Sequence, residues 1–446
     1  MPVTVVDRGG AATLMLASLF LLGTWPALLT LLERRGRLPQ HTYLDYSVTN
    51  LLAAVLIAVA FGQPGENRPG MPSFFTQLSQ MQDNWPSVLM AMAGGIALSL
   101  GNLVSQYAWA FAGLSVTNII CSSMTVVIDF RVHSCAGTTI NYFLDGRINR
   151  AEVLFPGVAC FLIAVFLGAA VHSSNAKDDE QKLSMKNADI ELSSEVSDEA
   201  KLLPDPREPT DGDEEDYSAS NEPKPGSAEF IIQVEGRRSI KVFGSHRLLG
   251  LNLVFLAGAC FSLFSPAINL ATNDQWHTLR KGVPHLVVYT AFFYFSVSCF
   301  ALGACLNVWF LYHPMAGVPA SSVGAYARDW NGRHWALLAG LLCGFGNGFQ
   351  FMGGQAAGYA AADAVQAMPL VSTFWGVILF GEYRRSSRKT YLLLSAMLLM
   401  FVMAAAVLVA SAGHRKAFDT NAKFIVTSLH SRYLYFRNFN IPSIYY

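Results

Sequence analysis

From Ala11 to Leu32 the chain runs without a charged side chain, and the same holds from Leu248 to Asn273 and from Thr390 to Gly413. A helix of about 20 apolar residues crosses the hydrocarbon core of a bilayer. A surface helix of a soluble domain alternates apolar and polar faces, so blocks of this kind have no place in a soluble fold. Spans are expected at roughly 10–32, 43–62, 87–108, 114–144, 152–171, 248–270, 285–311, 334–353, 360–380 and 390–412. The fold class is therefore all-α integral membrane, with about ten transmembrane helices. Composition agrees, since only 14% of the 446 residues are charged, against about 25% in soluble domains. The first block continues to Leu32 without a small-residue cleavage site, so it reads as a span and not a signal peptide.

Charge concentrates in residues 172–246. This segment carries Asp178, Asp179, Glu180, Asp213, Glu214, Glu215 and Asp216, several prolines and few aromatics. Such a composition buries too little apolar area to offset its ordering entropy and reads as a disordered loop. It ends in Arg237, Arg238, Lys241 and Arg247, and basic residues beside a span favour the cytoplasm. Arg34, Arg35 and Arg37, and Arg384, Arg385, Arg388 and Lys389, then fall on that same side. The seven cysteines include no CxxC pair and lie mostly inside apolar blocks, so they read as small core residues. Net charge is zero, which gives no electrostatic footprint for nucleic acid.

The two halves resemble one another. Gly95, Gly101, Asn102 and Gly113 recur as Gly340, Gly346, Asn347 and Gly358, each 245 residues on. An odd number of spans per half places the copies in opposite orientations, giving two inverted five-helix repeats with a solute site between them near the bilayer midplane. The first repeat covers 1–171 and the second 247–416. Past residue 128 the offset falls to 237, matching Phe143-Leu144-Asp145 with Phe380-Gly381-Glu382, which implies eight extra residues. Residues 129–136 fill that gap and put Asp129 and Arg131 near mid-membrane, at about 2.5–3.5 kcal/mol each on insertion scales. They read as an alternatively spliced or mis-assembled gene segment, the competing reading being a new ion-pathway pair.

Several residues could carry chemistry. Pro26, after Trp25, and Pro266, after Ser265, sit within the first span of each half, where proline removes a backbone donor and frees a carbonyl. Amides gather in the third and eighth spans: Asn102 and Gln106, then Asn347, Gln350 and Gln355. An amide both donates and accepts, which suits a neutral heterocycle with urea-like groups, although helix–helix bonding would use the same side chains. Trp25, Tyr107, Trp109, Phe374 and Trp375 could stack on a planar ring or belong to core and interface. Asp363 is an intramembrane carboxylate and a candidate for the coupling proton, with a solvated cap as the competing reading. Its repeat mate, Asn118, cannot titrate. Asp45 and Glu382 read as interfacial. No HExxH, GxSxG or phosphate-binding GxxxxGK[ST] occurs, so neither an enzyme, a metal site nor a cofactor is indicated.

Long strings here resemble a plant ureide permease: LLERRGRLPQHTYLDY (31–46), QDNWPSVLMAMAGG (82–95), LFPGVACFLIAVFLGAAVH (154–172), LFSPAINLATNDQW (263–276), KGVPHLVVYTAFFYF (281–295), GFGNGFQFMGGQAAGYAAADAVQAMPLVSTFWGVILFGEYRRSS (344–387) and ASAGHRK (410–416). The resemblance implies the drug/metabolite transporter fold of ten spans in two inverted repeats, and proton-coupled uptake of allantoin and related oxo-derivatives such as uracil and xanthine. It also implies a chain running from Ile128 straight to Gly137, glutamate at position 118, and an ATP-binding-like motif in the central loop that this chain lacks. Residues 417–446 have no counterpart in the family. The expectation is a multi-pass permease of the plasma membrane whose partners are a ureide or nucleobase, protons and the lipid bilayer, with self-association into a homo-oligomer compatible with it. The alternatives are a non-transporting or regulatory splice form and a sugar or metabolite exchanger on the same fold.

Overall fold

The computed structural model describes residues 8–62, 72–127, 138–200, 233, 237–240, 247–280, 283, 285–315 and 317–413. The insert at 129–136 and the tail at 417–446 lie outside the described residues. Where the sequence carries its charge-free runs the backbone is helical: α1 (Arg8–Arg34), α2 (Pro39–Gly62), α3 (Phe74–Ser79), α4 (Trp85–Ala112), α5 (Leu114–Val127), α6 (Thr138–Leu144) and α7 (Ala151–Ala200). After the central segment come α8 (Arg247–Asn273), α9 (Val288–Tyr312), α10 (Val323–Arg328), α11 (Arg333–Ala357), α12 (Tyr359–Ala362), a 3-10 turn (Asp363–Ala367), α13 (Pro369–Phe380) and α14 (Arg388–Ala410).

Among the described residues, nine helices are long and apolar enough to cross a membrane. Of the expected fourth span of 114–144, the described residues form α5 and α6, on either side of residues outside the description. A difference concerns the central segment. Its first part, 172–200, continues α7 as helix where composition suggested a disordered loop. The extension is anchored near its start. Asp178 Oδ2 accepts from the Ser387 amide at 2.9 Å and from Thr390 Oγ1 at 2.7 Å, and Lys182 Nζ donates to Arg384 O at 3.1 Å.

The expected proline breaks do not interrupt the helices. α1 passes through Pro26 and α8 through Pro266. Real corners fall at Gly113, between α4 and α5, and at Gly358, between α11 and α12, with φ of 87° and 100°. Only glycine takes such values without steric cost.

The helices pair as follows. α4 packs on α8 and α9, α11 on α1 and α2, α2 on α9, and α7 on α14. Glycines let two of these backbones meet. A methyl at Gly95 would strike the Phe295 carbonyl of α9, and one at Gly340 would strike the Tyr46 carbonyl of α2. In the same way Gly101 receives the Phe261 ring of α8, and Gly346 receives Leu22 of α1. The outer faces of α7 and α14 stay apolar and uncovered, with Phe166 72% and Leu392 73% exposed. That suits lipid contact, because large bare apolar patches are otherwise rare on soluble monomers.

Candidate functional site

Two polar clusters lie in the interior, one around Trp25 and one around Asp363. In the first, the buried Trp25 ring stacks on Tyr46 with centroids 5.2 Å apart and meets Trp109 edge-on at 5.3 Å. Asn102 Nδ2 donates to the Tyr46 hydroxyl at 2.8 Å, and that hydroxyl donates to Cys343 Sγ at 3.0 Å. Asn347 Nδ2 donates to the Cys343 carbonyl at 3.0 Å and to its sulfur at 3.2 Å. One chain of contacts thus joins α1, α2, α4 and α11, and includes three of the residues expected to bind solute, Trp25, Asn102 and Asn347, with Pro26 next to Trp25 in sequence. Trp109 Nε1 donates to Asn118 Oδ1 at 3.1 Å.

Not every amide in this core is satisfied. Gln350 is 1% exposed, yet neither its Nε2 nor its Oε1 has a partner, and Gln106 Nε2 and Asn118 Nδ2 are likewise unpaired. An orphaned buried polar group costs roughly 1–3 kcal/mol, and native interiors leave few of them. Gln355 does not belong to this group. It is half-buried, and its Oε1 accepts the Val288 amide at 3.3 Å, holding the first turn of α9. Among the aromatic candidates, Tyr107 packs on Ile240, Phe374 is exposed, and Trp375 Nε1 donates to Thr24 Oγ1 at 3.1 Å.

The second cluster surrounds Asp363, which is fully buried. It sits where α12 passes into the 3-10 turn, so the solvated-cap reading does not apply. Its Oδ2 accepts from Asn141 Nδ2 at 3.3 Å, while Oδ1 has no partner. The same Asn141 amide donates to Ser265 Oγ at 2.9 Å, and its Oδ1 accepts from Asn269 Nδ2 at 3.2 Å. Asn273 Nδ2 donates to Asn269 Oδ1 at 2.5 Å. Asp145 Oδ2 takes the Tyr359 amide at 2.6 Å, and Tyr359 and Thr272 hydroxyls lie 3.1 Å apart. Pro266 enters this cluster through its neighbour Ser265. A parallel emerges: the residue before each proline, Trp25 or Ser265, reaches residue 118 or 363 through a single intermediary, Trp109 or Asn141.

Sequence reasoning missed Tyr46, Cys343, Asn141, Ser265 and Asn269 as site residues. The spacing of Asn269 and Asn273, four apart on one helix face, was the available signal. Asp45, read as interfacial because it lies near a span end, is 3% exposed within the protein. Asp45 Oδ2 accepts from Arg37 at 2.6 Å and from Arg333 at 3.2 Å, and its Oδ1 accepts from the Tyr326 hydroxyl at 2.8 Å. Arg37 also meets Asp329 at 3.3 Å, and His41 bridges Asp329 at 2.8 Å and Ser321 at 2.8 Å. Burial pushes the Asp329 carboxyl up, but the His41 hydrogen bond and the Arg37 charge outweigh it and hold it below the usual carboxylate range. Burial, then the bond and charge of Asp45, push the Tyr326 hydroxyl up to about 12. Glu382, the other acid read as interfacial, is 17% exposed and meets Arg34 at 3.4 Å and Ser115 Oγ at 2.6 Å. Among the described residues no group of His, Cys, Asp and Glu could hold a metal ion.

The model of the ureide permease family matches residues 42–411. The chain belongs to the ureide permease family. It is 64% identical over 413 residues to ureide permease 2 of Arabidopsis thaliana, covering 92% of this chain and 99% of that one. Ureide permease 1 of the same plant is 62% identical over 418 residues, with 92% and 99% covered. A probable ureide permease A3 of Vigna unguiculata is 59% identical over 392 residues, with 87% and 99% covered. No solved structure matches the chain. As a ureide permease it is a multi-pass membrane transporter of ureides and not an enzyme. The family match takes in the residues of both polar clusters from Tyr46 to Asp363, with Trp25 and Pro26 lying ahead of it.

Proposed function

We propose that this permease imports allantoin and other oxo-derivatives of nitrogen heterocycles, such as uracil and xanthine, across the plasma membrane together with protons. The solute lies between two inverted repeats, held by Asn102, Gln106, Asn347 and Gln350 with Trp25 against its ring. The repeat reading is supported by the helix pairings, which keep their pattern when first-half and second-half helices are exchanged. It is supported also by the corners at Gly113 and Gly358, and by Gly95 and Gly340, each meeting a carbonyl of the other half.

Unpaired amides support solute binding. The Gln350 side chain offers one donor pair and one acceptor that no protein group takes, and a ureide carries N–H and C=O groups in the complementary pattern. Proton coupling is carried by one observation. Asp363 is buried in a membrane span with one oxygen unpaired, and among the described residues it forms no ion pair. A carboxylate without a countercharge is costly to bury, and a proton bound there neutralises it. Such intramembrane acids serve as proton relays in transporters. The Asn141–Asn269–Asn273 chain leads from Asp363 to the end of α8 and orients its carboxyl.

The test is uptake of labelled allantoin and uracil into cells lacking their own permease, across external pH and with a protonophore. Uptake of ureides that ignores the proton gradient removes the coupling. Uptake displaced by sugars and not by unlabelled ureides removes the substrate assignment.

A further inference from the structure

Four residues from the end of the central segment lie against the bundle at the end bearing Arg34 and Arg37. Ile240 is fully buried among Tyr107, Ala110 and Val318. The contact is bonded as well as apolar. Arg238 Nε meets Glu33 Oε1 at 3.3 Å, and its Nη2 donates to the Ala110 carbonyl at 2.7 Å. The Ile240 amide donates to Glu33 Oε1 at 3.2 Å, and the Ser239 amide to the Glu33 carbonyl at 3.2 Å.

Ile240 closes a cavity of about 10 Å³ that Thr30, Glu33, Gln106 and Trp109 also line. This volume suits about one water. Three of its lining side chains each keep a buried atom without a partner: Thr30 Oγ1, Glu33 Oε2 and Gln106 Nε2. All three residues are more than nine-tenths buried, at 3%, 7% and 6% exposed. Together they give one carboxylate acceptor, one amide donor and one hydroxyl, with an indole wall alongside. A neutral urea-type group needs those functions: two N–H donors for the carboxylate, a C=O for the amide, and a flat face for the ring. Trp109 also touches Trp25, so the cavity adjoins the aromatic cluster. Its fourth wall is a loop segment and not a span, so the space can enlarge without unfolding a helix.

We propose that this cavity is a second solute station, adjoining the Asn347–Gln350 site through their shared Gln106, in which Glu33 accepts ureide N–H groups and residues 238–240 form the lid. The lid is held by Glu33 Oε1, and Glu33 Oε2 binds the solute, so one carboxylate serves both. A solute entering the station displaces Ile240, and the lid closes again behind it. This deepens the transport reading given above and rests on it.

The experiment uses the full chain with Ile240→Cys in membrane vesicles, labelled by a maleimide and read peptide by peptide by mass spectrometry, so that native cysteines are told apart. The unfolded chain gives the reference rate. Without solute, labelling of position 240 should be slower than the reference by about tenfold or more, the ratio that about 1.4 kcal/mol of protection gives. Allantoin or uracil should accelerate it. Labelling at the reference rate without solute, or no acceleration by either compound, overturns the proposal. In parallel, Glu33→Gln should lower allantoin uptake per surface molecule by about tenfold, and Thr30→Val by roughly two- to tenfold. Wild-type uptake with both variants unaffected overturns the station while leaving transport standing, and means the cavity holds only water. Absence of wild-type uptake with solute-accelerated labelling keeps the station and rejects transport. Should Glu33→Gln fail to reach the surface, the Thr30→Val and labelling results decide.

Discussion

Asp45 gives the most quantitative prediction. Arg37 and Arg333 both donate to its Oδ2, and Tyr326 donates to its Oδ1. The side chains of Arg37 and Asp45 are 1% and 4% exposed. Asp45→Asn preserves volume and leaves an acceptor for Tyr326, but sets two guanidinium groups against Asp329 alone. Removing one member of a buried ion pair costs about 3–5 kcal/mol because a charge is left uncompensated, so the single variant should lose about that much stability. Arg333→Gln is milder, since Asp45 keeps Arg37, and about 1–2 kcal/mol is expected for a partly buried charged hydrogen bond. Combining the two restores one arginine per carboxylate. The double variant should therefore be more stable than Asp45→Asn alone, with a coupling energy of roughly 1–3 kcal/mol. Thermal unfolding of the purified protein in detergent, followed by size-exclusion recovery of the folded form, measures all four corners of the cycle. Strict additivity, or a double variant less stable than Asp45→Asn, would refute charge balance as the source of this cluster's stability.

Four shorter predictions follow. Asp363→Asn keeps an acceptor for Asn141 but cannot titrate, so uptake should persist at a reduced rate and lose its dependence on external pH; an unchanged pH profile removes the proton role. Gln350→Leu removes two orphaned polar atoms, so thermal stability should hold or rise while ureide uptake falls by roughly two- to tenfold; a loss of stability would show that Gln350 has a structural partner. Asp329 is held below its ordinary range, so its contribution to stability is present above about pH 4 and is lost as pH falls through its lowered folded value; a melting profile of Asp329→Asn that parallels wild type across that window would contradict this. Gly95→Ala should cost about 1–3 kcal/mol by overpacking against the Phe295 carbonyl, whereas Gly10→Ala, with open space around it, should leave the melting temperature unchanged.

The spans were legible because a bilayer imposes a long apolar run on any helix that crosses it, and the runs around Leu21, Phe255 and Val402 carry no charge to confuse the pattern. Glycine repeats were legible too, since Gly95 and Gly340 recur at one spacing. The site was legible only by residue type. Asn102 and Asp363 stand out as polar groups in apolar surroundings, but their partners Tyr46 and Asn141 lie 56 and 222 residues away. Nothing local announces which distant side chain completes a hydrogen bond. Gln355 shows the same: nothing near it in sequence announces that its Oε1 accepts the Val288 amide at the start of another helix. The helical continuation from 172 to 200 was hidden because acidic composition lowers the apolar area available for burial, while anchoring at Ser387 and Thr390 lies far along the chain.

Where Gly95 lies on Phe295 and Gly340 on Tyr46, main chain meets main chain with only the short hydroxyl side chains of Ser298 and Thr49 beside the contact. Surfaces of that sort have few rotamers to rearrange, so they part more readily than they glide. α4 with α9, and α11 with α2, should then travel as welded units during each transport cycle, and the relative displacement must be absorbed by α1 and α8, the first helix of each half, each with a proline inside it. Spin labels across a welded pair would keep their separation throughout turnover, while labels flanking Pro26 or Pro266 would not.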